Sequence, residues 1–599
     1  MSSRDSGAMS TPLPTRHRRV WPWMAAIACA LVGWYLWRAA SLWYARPVIA
    51  FDLVDEINAR QPKPGPEGSA FPVYAEAFAG KIETLRLWNT RIAEGLALAG
   101  VDADALANLR RDLDAVEPQI AVLRRLSAHP VLGAPAFRDA SEQPQIAALM
   151  GQAVDVGSEA KWPADSFMRG ALAIGAPLVN LSAVASSLLR ADAAVAALDG
   201  DIDRAIESLD AATVAAAHIG ESAFFSNAMV MAWAESAIAS SILSVVENHA
   251  DQLDEAQLEA LEAIVRRLAR DGGERCIDIE RLALLDAVQR IYSDDGAGDG
   301  ELLPRAMKDF EYATTPLTAN GKPKPGSPRQ LSDPVRFLVA PIANRLRDGR
   351  AATVTLVDRI ASLNRELLET PSGRAVQTRM ERLDFTVDSA ARGEQPVVSA
   401  MGISWRGLHW HVRKARLSRD AALAAIGIER FRRANARFPA SLEELAAFTG
   451  VALGADNPPS NPWRYAIVEG RPLIYDFGSD GIDDGARPAA ATVSEIRGYD
   501  ASLKWQGARS STSASLRGDF DPREEIDPAM QAPGVVPLSP MPGELADRAL
   551  RTVTATKPRN EAWRDGDAIW VLWRSGAIGP SRVVRLKPEN GEFRDPATE

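Results

Sequence analysis

The sequence has few residues of the kinds that form covalent cross-links or bind transition metals. Its 599 residues include two cysteines, Cys29 and Cys276, and six histidines. Two cysteines are too few for a disulfide framework or a thiolate metal site. Four histidines have no second ligand at metal-binding spacing, namely His17, His129, His218 and His249. The composition therefore argues against a fold held together by disulfides or structural zinc.

Familiar catalytic motifs are also absent. The sequence contains no G-x-S-x-G, no G-x-x-x-x-G-K-[ST] and no H-E-x-x-H. His409 and His411 would share a face on a strand and could bind zinc there, but GLHWHVRK is rich in cations and is expected to enter a helix, where these positions diverge. We therefore do not expect a zinc site. The sequence gives no direct ground for an enzyme, and an envelope hydrolase with its site in the helical body is kept as the alternative function.

The charge is distributed unevenly. The chain carries a formal net charge of −10, while its first fifty residues hold six arginines and one aspartate, a net charge of +5, which leaves −15 for the rest. With 46% hydrophobic and 24% charged residues, the chain can build several folded units. An acidic body of this kind disfavours nucleic acid as a partner.

An uncharged apolar run occupies Val20–Trp37. Its 18 residues are about the minimum for a helix that crosses a hydrocarbon core of roughly 30 Å. Aromatic residues suited to the headgroup layer lie in and just after it, near its two ends: Trp21, Trp23, Trp34, Trp37, Trp43 and Tyr44. The run is longer than the core of a secretory signal, and no small-x-small cleavage site follows Tyr44. We expect a transmembrane anchor with its flanks over residues 20–45.

Arginines predict the orientation of this anchor. Four precede the run, Arg4, Arg16, Arg18 and Arg19, and two follow it, Arg38 and Arg46. Because positive residues are retained on the cytoplasmic side, residues 1–19 are expected in the cytoplasm and the bulk of the chain outside it. The predicted location is the bacterial inner membrane, spanned once, with a periplasmic body.

Helical spacing dominates residues 46–292. Asp254 to Arg270 shows apolar residues at helical intervals, a start signal formed by Asp254 with Gln257, and a glycine pair at its end. Upstream, two alanine-rich helices are predicted to meet at Gly200–Asp201. No second copy follows at a 34-residue period, so we predict an irregular helical bundle or short solenoid rather than a repeat array. Its role, scaffold or partner groove, stays open.

The composition of residues 293–334 differs from that of the preceding helices: it is a mixture rich in glycine, proline and lysine, which predicts a linker or long surface loop. Asp294, Asp295 and Asp299 within it are interpreted as turn residues rather than as a cation site. Helical spacing returns over 335–418. Residues 489–562 are predicted to be a flexible linker, and 563–599 a terminal β-hairpin that packs on the bundle or pairs with a small upstream sheet.

The segment 419–488 combines a long helix, a Phe-Pro element, a short helix with a capping box formed by Ser441 and Glu444, and two strands around Glu469–Gly470. This order resembles the head domain of major pseudopilins of type II secretion systems. The residues that carry the resemblance are Phe438–Pro439, Asn461–Pro462–Trp463, Tyr465, Tyr475 and Gly478–Ser479–Asp480–Gly481 with Asp483 and Asp484. The resemblance implies a calcium-binding loop after the second strand.

Two departures limit the resemblance. The chain has no Gly-Phe-Thr-x-x-Glu processing site before Val20, and nearly four hundred residues separate the apolar run from the head-like segment. We therefore expect a reused module on a permanent tether rather than a pilus subunit. The arrangement also resembles bacterial membrane-anchored proteins that pair a helical region with this C-terminal motif, a resemblance that implies no activity.

The loop chemistry also bears on calcium. Calcium takes six to eight oxygen ligands, and Ser479, Asp480, Asp483 and Asp484 with nearby carbonyls supply oxygens of that kind. The alternative is an aspartate-rich turn whose carboxylates cap backbone amides. The sequence as a whole predicts a mainly α protein with a transmembrane helix, a helical body, a small α+β module and a terminal hairpin. Its expected role is a binding, scaffold or assembly component of the cell envelope, with other envelope proteins as partners.

Overall fold

A computed structural model describes residues 20–79, 103–137, 144–149, 178–269, 273–307, 332–370, 374–392, 405–450, 463–468, 470–476 and 568–572. Within these ranges the chain forms sixteen α-helices and one three-stranded sheet. The predicted mainly α fold is therefore confirmed.

The helices of the N-terminal half are α1 (Val20–Tyr44), α2 (Leu53–Arg60), α3 (Phe71–Phe78), α4 (Ala103–Asp114), α5 (Glu117–Arg124), α6 (Pro144–Leu149), α7 (Leu178–Leu198), α8 (Ile202–Ile219), α9 (Phe225–His249), α10 (Glu255–Val265) and α11 (Glu274–Ile291). Those of the C-terminal half are α12 (Asp333–Leu346), α13 (Arg350–Glu369), α14 (Arg374–Arg392), α15 (Trp405–Asn435) and α16 (Leu442–Thr449). The strands are β1 (Arg464–Val468), β2 (Arg471–Asp476) and β3 (Ala568–Leu572).

The alanine-rich hairpin predicted around Gly200 is confirmed as α7 and α8. Gly200 adopts a left-handed φ of +82°, and the Asp201 side chain accepts a hydrogen bond from the Arg204 N–H, which starts α8. Small side chains such as Ala185, Ala205 and Ala212 are fully buried between these helices. The absence of bulky groups lets the two helices approach closely along their length.

Helices α9 and α15 join two hydrophobic cores. The N-terminal part of α15, with Leu408 and Val412, packs in a core with α11 and α13, whereas its later residues, with Ile426 and Phe431, pack in the core of α7, α8 and α10. Helix α9 also contributes to both cores. Where they meet, the hydroxyls of Ser236 and Ser418 form a buried hydrogen bond of 2.8 Å. The α9–α15 pair is thus the central support of the body.

Helix α10 begins as its sequence predicts. The Asp254 carboxylate accepts a hydrogen bond from the Gln257 N–H at 2.8 Å, and the Gln257 side chain accepts one from the Asp254 N–H at 2.9 Å. In α16 only the first half of the predicted capping box forms. Ser441 accepts from the Glu444 N–H, while the Glu444 carboxylate accepts from the Ala440 N–H.

The sheet is antiparallel, with β2 between β1 and β3. β1 and β2 form the predicted hairpin, and Gly470 in its turn has a φ of +77°. β3 is the first strand predicted for the C-terminal hairpin, and it pairs with β2. Trp463 and Ile474 pack in the core of α7 to α10, so the sheet is joined to the helical body.

Several predicted segments differ from the observed elements. The boundary predicted between 335–418 and 419–488 falls inside α15, a single helix of 31 residues. The first part of the predicted 293–334 linker is folded: Tyr292 pairs with Leu302 in an antiparallel bridge, and Leu303 and Met307 are buried. Helix α1 continues to Tyr44, beyond the apolar run. Residues 489–562, 573–599 and 308–331 lie outside the described part of the chain.

Candidate membrane interface

Helix α1 presents an apolar surface that the body leaves uncovered. Every residue from Trp21 to Trp34 is exposed. Among the described residues, three helices are long and apolar enough to cross a membrane, and the other two are α7 and α9. In those two, 78% and 61% of the apolar window is buried inside the bundle, against 11% for α1. An N-terminal helix compatible with a membrane span is therefore present, and α7 and α9 use their apolar surface for the core.

The last turns of α1 are packed on the body. Ala39 and Leu42 are buried. The Trp43 ring meets the Phe337 ring of α12 edge to face, with centroids 5.9 Å apart. The Arg305 guanidinium lies 5.2 Å from the centroid of the Trp43 ring, at cation–π distance. The end of α1 is thus held by aromatic and cationic contacts.

Polar contacts extend this attachment toward the middle of α1. Arg38 forms an ion pair with Glu301, and the Tyr35 hydroxyl donates to the Leu338 carbonyl of α12. The Arg345 guanidinium lies 5.8 Å from the Trp34 ring centroid. Since Trp43 contacts the start of α12 and Trp34 contacts its end, the two helices run in opposite directions side by side.

Gln289 of α11 fixes the segment that follows α1. Its Oε1 accepts hydrogen bonds from the Ala50 N–H at 2.8 Å and the Phe51 N–H at 3.3 Å. Its Nε2 donates to the Phe51 carbonyl at 2.9 Å and to the Asp286 carboxylate at 2.8 Å. Asp286 in turn forms a buried ion pair with Arg290 at 2.9 Å. The chain between α1 and the body is therefore hydrogen-bonded in place.

Helix α2 continues this attachment. Asp52 caps its first turn, and Leu53 and Ile57 are fully buried against α11. The Asn58 amide group donates to the Ala136 carbonyl at 3.1 Å and accepts from the Ala136 N–H at 2.7 Å. The connection from α1 to the body thus contains apolar burial as well as hydrogen bonds.

The aspartates at 294, 295 and 299 form turn and cap contacts. Asp294 and Asp295 each accept from the N–H two residues ahead, at 2.8 Å. Asp299 accepts from the Gly300 N–H at 2.8 Å and from the Ala351 N–H at 3.0 Å, at the start of α13. The Arg350 guanidinium beside Asp294 lowers the pKa of that carboxyl. This is the turn chemistry that the sequence favours over a cation site.

Two buried glutamates hold the turn between α8 and α9. The Glu221 carboxylate accepts from the Leu132 N–H at 2.6 Å, and the Glu280 carboxylate accepts from the Phe225 N–H at 2.6 Å. Burial raises the pKa of Glu221 to about 7 and the pKa of Glu280 to about 7. Both carboxylates bind backbone amides inside the fold, so their role here is structural.

The histidines of α15 are helical, as expected. The His409 Nε2–H donates to the Asn364 side-chain oxygen at 3.1 Å, and both His409 and His411 are buried. Burial lowers the pKa of His409 to about 3 and the pKa of His411 to about 4. No group of three histidine, cysteine or acidic side chains suited to a metal occurs in the described ranges. The α15 histidines therefore pack as core residues.

The four residues predicted as calcium ligands, Ser479, Asp480, Asp483 and Asp484, lie outside the described residues. Of the residues that carry the pseudopilin resemblance, Tyr465 donates its hydroxyl to the Pro439 carbonyl at 2.7 Å.

The sequence does not point to Gln289, because the partners of its side chain are backbone groups 238 and 239 positions away. The contact of α12 with α1 also escaped prediction, because it joins residues about 300 positions apart, such as Tyr35 and Leu338.

Protein-family models, curated proteins and solved structures were compared with this chain, and none of the three comparisons finds a match. The resemblance of residues 419–488 to pseudopilin heads therefore stays a prediction.

Proposed function

We propose that this chain is a single-pass protein of the bacterial inner membrane whose folded body lies in the periplasm and acts as a binding, scaffold or assembly component of the cell envelope. The observation that carries the proposal is the contrast along α1. Its residues from Trp21 to Trp34 are exposed and apolar, and its last turns are packed on the body.

The exposed part of α1 supports an anchor. Large apolar side chains are left open to solvent, including Trp23 at 74%, Met24 at 60% and Leu31 at 61% exposure. A contiguous apolar surface of this size is costly in water and marks a membrane or protein contact. Trp21 and Trp23 near one end and Trp34 and Trp37 near the other are placed as interfacial aromatic residues are in membrane helices.

The fixed connection supports a scaffold or assembly role. A flexible linker would let the body rotate freely about its anchor, but Gln289 binds the Ala50 and Phe51 backbone, and Leu53 is buried next to them. The body is therefore held in one orientation relative to α1. An orientation of this kind keeps a given face of the body at a constant height above the bilayer.

A groove between α10, α15 and α16 supports a binding role. Among the residues that line it are Glu262, Gly427, Arg430 and Phe448. Arg430 pairs with Glu262 at 2.8 Å, while the Phe448 ring is 44% exposed. A groove that combines an aromatic side chain with paired charges is suited to an amphipathic peptide segment.

Topology tests the proposal directly. Alkaline phosphatase fused after Glu599, which folds only outside the cytoplasm, should be active, and green fluorescent protein at the same position should be dark. The protein should stay in the membrane after alkaline carbonate, and the matched variant Ile27→Arg/Leu31→Arg should be released because a charge at the centre of a span costs about 2.5–3.5 kcal/mol. An active cytoplasmic reporter, or release of the unsubstituted protein by carbonate, overturns the proposal.

A further inference from the structure

Helix α12 carries an exposed apolar stripe beside α1. Its members share exposures of 40% or more and lie at helical spacing: Val335 42%, Leu338 49%, Val339 40%, Ile342 52% and Leu346 69%. At about 100° per residue these five positions fall within one arc of about 100°. The opposite side, with Arg336, Ala340 and Pro341, is buried. The stripe is thus a continuous apolar face, of the width that core-facing helices bury.

The position of α12 along α1 places this stripe at membrane depth. A helix needs about 20 residues to cross a hydrocarbon core of about 30 Å. Only Trp21 to Trp34 of α1 is uniformly exposed, which is too short a length. A span of about 20 residues that begins at Val20, next to Arg18 and Arg19, ends at about Ala39. Trp34 then lies roughly 7 Å inside the boundary on the body's side.

Contacts between the two helices occur within this depth. Leu338 accepts from the Tyr35 hydroxyl, and Arg345 lies over the Trp34 ring at 5.8 Å. Because α12 runs antiparallel to α1, its C-terminal half is the part that lies deepest. The part of the stripe from Leu338 onward is therefore level with the segment of α1 that the span requires, while its start, next to the Phe337–Trp43 contact, lies at the boundary on the body's side. Its outward face meets whatever surrounds α1 at that depth.

Two arginines lie at the end of α12 that reaches furthest along α1. Arg345 and Arg347 flank Leu346, which is 69% exposed. Arg336 is buried on the other side of the helix, and Asp348 follows Arg347, so the local charge is mixed. Arginines next to an apolar helical face are typical of helices that bind at the membrane interface.

We propose that α12 is a second membrane-contacting helix, seated in the leaflet on the body's side with its apolar stripe against the acyl chains of the lipid. This inference rests on the proposed function, because it takes α1 as the span that sets the depth. It adds a second membrane contact: the body would be held on the bilayer by two adjacent helices, α1 and α12, rather than by one.

Spin labels on the full-length protein test this contact. In a Cys29→Ala background, with the buried Cys276 kept, Leu338→Cys and Ile27→Cys are labelled after reconstitution into liposomes of zwitterionic and anionic phospholipid. Leu198→Cys is the matched control, because Leu198 at the end of α7 and Leu338 are both leucines with 49% exposure. Accessibility to oxygen, which concentrates in lipid, is compared with accessibility to a water-soluble nickel chelate. Circular dichroism confirms the fold of each variant.

The labels at Leu338 and Ile27 should both show a ratio of oxygen to nickel accessibility several-fold above that at Leu198. A water-like ratio at Leu338 with a lipid-like ratio at Ile27 overturns the α12 contact and leaves the anchor intact. A water-like ratio at Ile27 overturns the anchor itself. A Leu338 label shielded from both reagents also overturns the lipid contact, and it identifies protein, such as a second copy of this chain, as the occupant.

Discussion

The side-chain amide of Gln289 holds Phe51 through both of that residue's backbone polar groups. It accepts from the Phe51 N–H at 3.3 Å and donates to the Phe51 carbonyl at 2.9 Å. A single side chain on α11 thereby takes the place of a strand partner for the segment that leaves α1. This contact joins the segment after α1 to the body.

Replacement of Gln289 should loosen the connection between α1 and the body. Gln289→Ala leaves the Ala50 and Phe51 backbone groups without these partners, at a cost of about 1–3 kcal/mol. We expect faster chymotrypsin cleavage after Phe51 in the detergent-solubilised protein, because Gln289 binds both backbone polar groups of that residue. Gln257→Ala, which removes the capping box of the distant helix α10, is the control for a general loss of stability. Equal cleavage rates after Phe51 in both variants would contradict this role of Gln289.

Asp192 is the centre of a buried charge network, and its removal should be costly. It lies in α7 with 1% of its side chain exposed, pairs with Arg124 at 2.8 Å and also contacts Arg204. Asp192→Ala removes the buried carboxylate that both arginines share and leaves them Glu117, which is 40% exposed and 3.2 Å from each. We therefore expect a loss of about 3 kcal/mol in the free energy of unfolding. Asp199→Ala, which removes an exposed pair with Arg110, should cost at most about 1 kcal/mol.

Urea unfolding, followed by circular dichroism, measures the free energy of unfolding of Asp192→Ala and of Asp199→Ala. If the loss for Asp192→Ala were no larger than that for Asp199→Ala, the network would not contribute to stability as its burial suggests.

The raised pKa values of Glu221 and Glu280 predict a pH dependence with a definite sign. Each carboxyl has its ordinary pKa of 4.5 raised to about 7 by burial. The folded state then binds more protons than the unfolded state, so this stability is complete below about pH 4.5 and is lost as the pH rises through about 7. The buried His218, whose pKa is lowered to about 4, acts in the opposite sense as the pH falls below 6.5.

Because these effects oppose each other, the difference between variant and unsubstituted protein is the useful measurement. Glu221→Gln should flatten the fall in stability between pH 5 and 8 by on the order of 3 kcal/mol. Thermal unfolding across that range checks this, with Glu76→Gln as the control because the Glu76 side chain is 53% exposed. An unchanged profile in Glu221→Gln would show that burial does not set the pKa of this carboxyl.

Gly349 is needed because of its neighbour Asp299. A Cβ at position 349 would lie 2.6 Å from the Asp299 Oδ1, an atom already held by the Gly300 and Ala351 N–H groups. Gly349→Ala should therefore displace the carboxylate that caps α13 and cost about 1 kcal/mol. In an Asp299→Ala background the same substitution should cost far less. Equal costs in the two backgrounds, measured by urea unfolding, would rule out this explanation.

The predicted calcium loop has its own test. If Ser479, Asp480, Asp483 and Asp484 bind calcium, the ion should raise the melting temperature, since a ligand at 100 times its Kd stabilises by about 2.7 kcal/mol. Chelator should reverse the shift, and Asp480→Ala with Asp483→Ala should abolish it. Asp294→Ala is the matched control, because Asp294 belongs to another glycine-rich aspartate segment. No shift at millimolar calcium would remove the loop from consideration as a site.

Local signals in the sequence predicted the elements whose causes are local. The capping pair Asp254 and Gln257 identified the start of α10, and Gly200 with Asp201 identified the α7–α8 turn. These features depend on residues a few positions apart, which a single sequence displays directly.

Contacts across the chain could not be predicted in this way. Nothing near Gln289 indicates that its partner is Phe51, and the contact between Ser236 and Ser418 joins positions 182 residues apart. The candidate membrane interface likewise could be predicted only in part. The apolar character of Val20–Trp37 was visible in the sequence, but the pairing of α1 with α12 depends on side chains that meet only in the folded body.

The central α9–α15 pair has a consequence for biogenesis. Since α15 closes both cores, the body cannot finish folding until the chain has been made as far as Asn435. Contacts of such large sequence separation also fold slowly. In the proposed membrane protein, α1 would be in the bilayer long before that point. The incompletely synthesised body would then lie next to the membrane with the apolar faces of its alanine-rich helices exposed. Production of this protein should then depend on periplasmic chaperones during export.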